Sequence, residues 1–187
     1  MSKDSRPMRV AGISGSLRAG SYNSAALKAA IALAPEGMTI EPAEIGDLPH
    51  YNDDVRLAGY PAPVQRFRDQ LAAADAILFV TPEYNYSIPG VLKNAIDWAS
   101  RPPSQPFDNK PVAIMGASGG VLGTARAQYQ LRQMLVFLNA FPLNKPEVMI
   151  GQAASKFDEN GRLTDEPTAG FIRQLLEALR DWRSRLA

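Results

Sequence analysis

Short apolar runs alternate along the chain with longer segments in which apolar residues recur every three or four positions. The short runs are rich in β-branched residues and are bounded by Gly, Pro or charged residues, which predicts buried strands. Strands are predicted at residues 8–11, 38–45, 75–80, 112–115 and 147–150. The longer segments predict amphipathic helices. The helices are placed at residues 21–33, 63–74, 89–98, 124–139 and 166–186.

The regular alternation of strand and helix predicts the fold class α/β. Helices should cover both faces of a parallel sheet, because parallel strands need crossover connections and because the run AILFV at residues 76–80 has no polar position. A chain of 187 residues is long enough for one core, and no internal repeat or long linker divides it. The prediction is a single domain that spans residues 1–187, a three-layer sandwich around a five-stranded parallel sheet.

Composition narrows the classes of function. The formal net charge is only +1 and the charges are interspersed, so the sequence offers no basic stripe for nucleic acid. Cysteine is absent and His50 is the single histidine, which excludes disulfides, thiol catalysis and metal sites built on Cys or several His. No apolar run approaches the roughly 20 residues that span a bilayer, and the N-terminal residues lack a signal-peptide core. We therefore expect a cytoplasmic protein that binds no metal, nucleic acid or membrane.

The segment GISGSLRAGSYN at residues 12–23 has the composition of an anion site. It follows the first predicted strand and leads into the first predicted helix, whose free N–H groups and dipole favour a negative charge. Ser16, Ser21 and Asn23 add hydroxyl and amide donors, and Arg18 adds a cation. The alternative is that Ser21 or Asn23 only caps the helix.

Two known phosphate motifs do not match this segment. Gly15 and Gly20 have the glycine spacing of the P-loop, but Ser21 stands where that motif requires lysine. The dinucleotide pattern G-x-G-x-x-G also fails, because the glycines are at positions 12, 15 and 20. A phosphate monoester bound without a metal remains, which favours a cofactor of the mononucleotide type.

The loops after the third and fourth predicted strands carry the other unusual residues. In a parallel α/β sheet these loops lie beside the first loop, at the carboxyl edge where ligands bind. Tyr84, Asn85 and Tyr86 offer flat faces and polar groups to a planar ring; alternatively, the two tyrosines pack on the helix below. The sequence GASGG at residues 116–120 has no large side chain and lets a ring approach closely.

Three segments resemble the NAD(P)H-dependent FMN reductase family, which has the flavodoxin-like fold and includes bacterial quinone and chromate reductases. They are GSLRAGSYN at residues 15–23, PEYNYSIPGVLKNAIDW at residues 82–98 and ASGG at residues 117–120. The resemblance extends from about residue 8 to residue 150. It implies FMN as cofactor, NADPH or NADH as co-substrate, the strand order 2-1-3-4-5, and a homodimer or homotetramer.

The resemblance also assigns residues to the cofactor. The FMN phosphate would be surrounded by Ser16, Leu17, Arg18, Ser21, Tyr22 and Asn23. The isoalloxazine ring would be bordered by Pro82, Glu83, Tyr84, Asn85 and Tyr86, with Ser118 and Gly119 near its polar edge. No side chain is expected to be catalytic, because a flavin carries the redox chemistry itself.

The implied function is ping-pong, two-electron transfer from NAD(P)H to a small-molecule acceptor. Quinones, chromate, azo or nitro compounds and free flavin all fit, and the sequence does not decide among them or between NADH and NADPH. A flavodoxin-type electron carrier is the alternative, although such carriers are usually strongly acidic and this chain is not. A serine hydrolase is a remote alternative: residues 116–120 match G-x-S-x-G around Ser118, but the only histidine, His50, precedes that serine.

Two further features have open interpretations. Residues 50–54 belong to a predicted loop and are candidates for the substrate pocket, unless His50 is simply an exposed loop residue. The helix at residues 124–139 has more apolar residues than one sheet face needs, which predicts either a subunit interface with Arg126 and Arg132 at its rim or ordinary core. Those apolar residues are Tyr129, Leu131, Met134, Leu135, Phe137 and Leu138.

Overall fold

A parallel sheet forms the centre of the computed structural model, which describes residues 6–186. Its strands are β1 (Met8–Ser14), β2 (Met38–Pro42), β3 (Ala76–Val80), β4 (Pro111–Ala117), β5 (Phe141–Pro142) and β6 (Val148–Ile150). The helices are α1 (Tyr22–Ala32), α2 (Asp53–Ala58), α3 (Ala62–Ala73), α4 (Gly90–Ala99), α5 (Ala125–Phe137) and α6 (Glu166–Leu186). A 3-10 turn at Ala153–Ser155 follows β6. The predicted alternation of strands and helices is therefore confirmed.

The strand order is β2-β1-β3-β4-β5, and each adjacent pair is parallel. β6 also pairs with β4: β5 lies beside residues 111–112, and β6 lies beside residues 115–117. β5 and β6 therefore occupy one position in the sheet and are the two parts of an interrupted fifth strand. The predicted order 2-1-3-4-5 of a flavodoxin-like fold is confirmed.

Three local differences from the prediction have simple causes. α2 has no buried residue, so no apolar periodicity marks it, and the Asn52 side chain starts it by accepting from the Asp54 N–H at 2.9 Å. β5 has only two residues, and one of them is a proline that cannot donate to a sheet. β2 ends at Pro42 instead of residue 45, and its last hydrogen bond to β1 is the one that the Ala43 N–H donates to the Gly12 carbonyl oxygen at 2.8 Å.

Helices cover both faces of the sheet because side chains alternate along its strands. In β3, Leu78 and Val80 pack with the core under α1 and α6, whereas Ile77 and Phe79 pack with the core under α3, α4 and α5. The apolar run at 76–80 is thus buried on both faces, as predicted. None of the helices within residues 6–186 combines the length and apolar composition needed to cross a membrane.

A cluster of charges around Asp75 ties the start of β3 to both ends of the described chain. The Asp75 carboxylate accepts two hydrogen bonds from the Arg6 guanidinium at 2.8 Å and one from the Arg9 N–H at 2.9 Å. The Arg183 guanidinium of α6 lies 3.5 Å from the same carboxylate. Burial by itself raises the pKa of this carboxyl, but the hydrogen bonds from Arg6 and Arg9 and the charges of Arg6 and Arg183 outweigh it, so the pKa of Asp75 lies below its usual value.

We expect Asp75→Asn to lower the free energy of unfolding at pH 7 by about 1–3 kcal/mol, because hydrogen bonds to a charged group are lost. A carboxyl whose pKa is depressed by folding stabilises the protein above the pKa of the unfolded chain, about 3.9, and this contribution disappears as the pH falls through the folded-state pKa. Urea unfolding at pH 7 and pH 3 measures both effects. Asp47→Asn is the control, because its ion pair with Arg66 is half exposed and should contribute under about 1 kcal/mol. An Asp75→Asn effect of the same size at both pH values would contradict the assignment.

Candidate functional site

The loop between β1 and α1, residues 15–21 or loop 1, is built around Ser21. The Ser21 hydroxyl oxygen caps α1 by accepting hydrogen bonds from the N–H groups of Asn23 and Ser24, at 3.1 and 3.3 Å. The capping role that the sequence offered as an alternative is therefore present. Capping leaves the Ser21 hydroxyl proton without an acceptor among residues 6–186, so this serine can also donate to an anion.

Several backbone N–H groups at loop 1 and the start of α1 lack a hydrogen-bond acceptor among residues 6–186. The N–H groups of Leu17, Ala19, Gly20 and Tyr22 have no acceptor within the described part of the chain. The Arg18 guanidinium lies beside them, donates to the Gly20 carbonyl oxygen and stands 5.7 Å from the centre of the Tyr22 ring. Open N–H groups, an arginine and the positive end of α1 together form a site suited to a phosphate.

Asn23 connects α1 with the end of β4. It is 3% exposed, its Nδ2 donates to the Ala117 carbonyl oxygen at 2.9 Å, and its Oδ1 accepts from the Ala117 N–H at 2.8 Å. Both polar atoms of this amide are therefore engaged across 94 positions of sequence. The pair of bonds fixes loop 1 relative to the loop that follows β4.

The loop after β3, residues 81–89 or loop 3, contains a tight turn at residues 84–87. Tyr84 and Ser87 exchange two backbone hydrogen bonds of 2.9 Å, and the two central residues, Asn85 and Tyr86, have φ values of 50° and 66°. This is the type I′ geometry, in which glycine is preferred at the position that Tyr86 occupies. A positive φ at a bulky residue costs on the order of 1–3 kcal/mol and persists only where the surroundings hold it.

The two tyrosines of this turn do not belong to the core. Tyr84 is 50% exposed and Tyr86 is 65% exposed. The N–H groups of Asn85 and Tyr86 have no acceptor among the residues that the structure describes. Both rings are therefore available to a ligand, and the Tyr86 ring contacts α5 through the Arg126 side chain.

Glu83 joins loop 3 to α5. Its side chain is only 6% exposed, and its carboxylate accepts from the N–H groups of Arg126 and Ala127 at 3.0 and 3.2 Å. It also pairs with the Arg126 guanidinium, whose pKa is raised by that hydrogen bond. Because Thr124 at the helix start makes no side-chain cap, Glu83 supplies the negative charge that the α5 N-terminus favours. The Glu83 backbone therefore borders the site, while its carboxylate is bound to the start of α5.

Arg126 and Gln130, one turn apart on α5, hold the turn in loop 3. The Arg126 guanidinium lies 3.8 Å from the centre of the Tyr86 ring. Gln130 Nε2 donates to the Tyr86 carbonyl oxygen at 2.9 Å, and its Oε1 accepts from the Ser87 hydroxyl at 2.5 Å. Sequence analysis did not identify Gln130, because a polar residue on the exposed side of a helix carries no signal for a partner more than 40 positions away.

The loop after β4, residues 118–124 or loop 4, is anchored through Ser118. Its N–H donates to the Ile150 carbonyl oxygen at 3.0 Å, and its hydroxyl donates to the Gly123 carbonyl oxygen at 2.5 Å. No imidazole accepts the hydroxyl proton within residues 6–186, so the arrangement of a hydrolase nucleophile is not present there. The N–H groups of Gly119 and Gly120 have no acceptor in the described chain.

Two hollows flank this edge of the sheet. One, of about 400 Å³, lies between loops 3 and 4 and is bordered by Glu83, Arg126, Ser118 and residues 120–123. The other, of about 370 Å³, lies between loop 1 and the turn at residues 158–161. The predicted donors from loops 1, 3 and 4 thus sit at one edge, with open space beside them. No cluster of residues suited to a metal ion occurs among residues 6–186.

His50 lies outside this group of contacts. The residues on either side of it are held by α4: the Pro49 carbonyl oxygen accepts from Trp98 Nε1 at 2.7 Å, and the Tyr51 N–H donates to Asn94 Oδ1 at 2.7 Å. His50 itself is exposed and has no hydrogen bond within the described residues. The neighbours of His50 are thus held by α4 while its imidazole is exposed, and a contribution of residues 50–54 to the substrate pocket stays a prediction.

The excess apolar residues predicted on α5 divide into two groups. Leu131, Leu135 and Leu138 are buried in the core. Tyr129 and Phe137 are exposed, the latter by 86%. The interpretation as core is therefore confirmed for the three leucines, and the subunit interface stays a prediction that concerns the exposed residues.

Comparison with known proteins places this geometry in a family. The model of the NADPH-dependent FMN reductase family matches residues 8–155. An NAD(P)H-dependent FMN reductase of Pseudomonas aeruginosa is 64% identical over 179 residues, which cover 96% of this chain and 97% of that protein. A quinone reductase of Escherichia coli is 44% identical, with 97% and 98% covered. The solved structure of FerB, a flavoenzyme NAD(P)H:acceptor oxidoreductase from Paracoccus denitrificans, is 42% identical with a TM-score of 0.87 and covers 95% of this chain and 98% of its own.

These findings confirm the resemblance seen in the three sequence segments. They also confirm the predicted class of enzyme, an oxidoreductase with FMN as cofactor and NAD(P)H as co-substrate. The electron-carrier and serine-hydrolase alternatives are not favoured. The chain belongs to the NADPH-dependent FMN reductase family.

Proposed function

We propose that this protein reduces quinones with electrons from NAD(P)H, and that its FMN spans loops 1, 3 and 4. The observation that carries the proposal is the set of open donors at one edge of the sheet. Three N–H groups of loop 1 and that of Tyr22 at the start of α1 have no acceptor in the described chain, and residues 85–86 and 119–120 have two such groups each. Backbone N–H groups normally find partners in the protein or in water, and a phosphate together with the polar edge of a flavin would take the place of water at these groups.

Loop 1 would hold the phosphate. Its oxygens would accept from the N–H groups of Leu17 and Tyr22 and from the hydroxyls of Ser16 and Ser21. Arg18, which donates to the Gly20 carbonyl oxygen, would add a charge-assisted bond. Asn23 acts indirectly in this proposal, because its amide is bound to Ala117 and so positions the loop.

Loops 3 and 4 would hold the ring. FMN supplies two-electron redox chemistry when it is bound. The N–H groups at residues 85–86 and 119–120 stabilise negative charge at the polar edge of the ring, as preorganised donors do in other active sites. Tyr84 and Tyr86 offer their exposed rings, and Pro82 stiffens the entry to loop 3. Ser118 keeps loop 4 in place through Gly123.

The acceptor would enter from the hollow between loops 3 and 4. Val121 and Leu122 border it and are both exposed, so a flat apolar molecule gains contact area there. The 44% identical relative named a quinone reductase supports quinones as the class. Chromate, azo or nitro compounds and free flavin stay as further acceptors in this proposal, with a ping-pong exchange at one site.

A homodimer or homotetramer is part of the proposal. Tyr129, Val136 and Phe137 leave a row of exposed apolar side chains along α5, which a second copy of the chain would cover. A cytoplasmic location, expected from a sequence without cysteine, stays a prediction.

The test is a flavin titration with a visible spectrum. We expect the purified protein to show flavin absorbance that bleaches with NADPH or NADH under anaerobic conditions and returns with a benzoquinone. Arg18→Ala should weaken FMN binding by roughly 10- to 100-fold, because a hydrogen bond to a charged group contributes about 1.5–3 kcal/mol. Arg66→Ala, which removes an exposed arginine paired with Asp47, is the control and should leave the FMN affinity unchanged. Unaltered FMN affinity in Arg18→Ala would overturn the assignment of loop 1.

A further inference from the structure

The turn at residues 84–87 is held in a conformation that its own sequence disfavours. Asn85 tolerates a positive φ, but Tyr86 at φ 66° occupies the position where type I′ turns take glycine. The two backbone bonds between Tyr84 and Ser87 close the turn but are available to other turn types as well. Contacts from outside loop 3 must therefore select this geometry.

Gln130 supplies such contacts from a rigid element. Its amide donates to the Tyr86 carbonyl oxygen at 2.9 Å and accepts from the Ser87 hydroxyl at 2.5 Å, so it fixes the orientation of the peptide group between those residues. A side-chain amide carries both the donor and the acceptor that this pair of bonds needs. Arg126, one turn earlier, lies over the Tyr86 ring and is itself paired with Glu83.

We propose that Gln130 is a positioning residue for the cofactor. It holds the turn so that the N–H groups of Asn85 and Tyr86, which have no acceptor in the described chain, stay presented to the flavin ring. This inference rests on the proposed placement of FMN between loops 3 and 4. Its consequence is that a residue without flavin contact sets how strongly loop 3 stabilises the negative charge of the reduced ring.

The first experiment compares Gln130→Leu with Gln174→Leu in the full chain. Gln174 is an exposed residue of α6, away from the apolar row of α5, and makes no hydrogen bond within residues 6–186, so its variant is a matched control. We expect amide hydrogen exchange at residues 84–87 to accelerate in Gln130→Leu without FMN, and FMN to bind about 10-fold more weakly. Reduced FMN should lose about 10-fold more affinity than oxidised FMN, which lowers the two-electron midpoint potential by about 30 mV. Gln130→Glu keeps the acceptor for Ser87 but loses the donor to Tyr86. It should change the amide exchange, the FMN affinity and the midpoint potential in the same direction as Gln130→Leu.

A double-mutant cycle with Tyr86→Gly tests the mechanism. Glycine adopts a positive φ without strain, so the turn no longer needs Gln130 to hold it. The effect of Gln130→Leu on FMN affinity should therefore shrink to less than about 3-fold in the Tyr86→Gly background, a coupling that additive sites do not show. An equal effect in both backgrounds, or unchanged exchange at residues 84–87, would overturn the inference.

The two proposals fail in different ways. If Arg18→Ala weakens FMN binding while Gln130→Leu leaves affinity and potential unchanged, the cofactor site stands and the positioning role of Gln130 is wrong. If neither variant changes FMN affinity, the proposed cofactor site is wrong and the role of Gln130 falls with it.

Discussion

Replacing Gly116 with alanine is expected to destabilise the protein by about 3 kcal/mol or more, or to prevent folding. A methyl group at this position of β4 would collide with the Thr81 carbonyl oxygen and with the Thr124 hydroxyl. The first of these atoms belongs to the backbone that follows β3, so it cannot move aside as the end of a flexible side chain can. Overpacking of this kind costs more than an ordinary core substitution.

Urea unfolding followed by circular dichroism measures this effect. Gly170→Ala is the matched control, because the space around Gly170 in α6 is empty, and a helical glycine replaced by alanine should gain roughly 0.5–1 kcal/mol. Equal stabilities of the two variants would show that β3, β4 and the start of α5 do not approach as closely as described. We also expect FMN affinity to fall in any Gly116→Ala protein that folds, because Thr81 leads into loop 3 and Thr124 into α5.

The second large effect is expected for Asn23→Ala, at about 2–5 kcal/mol. The substitution leaves the N–H and carbonyl groups of Ala117 buried without partners, and each such group costs on the order of 1–3 kcal/mol. It also removes the two hydrogen bonds that join the start of α1 to the end of β4, and these bonds fix loop 1 relative to loop 4. FMN affinity should fall together with stability.

Asn160→Ala is the control for this prediction, because Asn160 is exposed and its side chain makes no hydrogen bond within residues 6–186. Its free energy of unfolding should stay within about 0.5 kcal/mol of the parent. Asn23→Ser tests the hydrogen bonds to Ala117 separately from the mere presence of a polar side chain. The short hydroxyl is polar but cannot reach both the N–H and the carbonyl group of Ala117. If Asn23→Ser is as stable as the parent, the two hydrogen bonds to Ala117 contribute little.

The fold was predictable because its signals are local. The apolar runs that became β1, β3, β4 and β6 and the periodic segments that became five of the six helices are each visible within a short window. The sequence did not reveal the interruption between β5 and β6. It depends on the path that residues 143–147 take beside β4 and α5, which is a property of the folded chain. A strand of two residues that contains Pro142 has no pattern to detect.

The site was predictable in place but not in detail. The position of the site at the carboxyl edge of the sheet follows from the topology. Loops rich in Gly, Ser and Tyr indicated which connections form it. The sequence could not tell which polar groups were already engaged. Asn23 and Glu83 carry suitable side chains, yet their partners lie 94 and 43 positions away. Only the folded chain shows that backbone N–H groups are the donors left over.

The contacts of Asp75 bring the two ends of the described chain close together. Arg6 and Arg183 both reach this one carboxylate, which stands just before the first residue of β3. The ends of the described chain therefore meet at the amino edge of the sheet, opposite loops 1, 3 and 4. A short linker between them would join the ends without crossing the flavin loops, so this fold is suited to circular permutation.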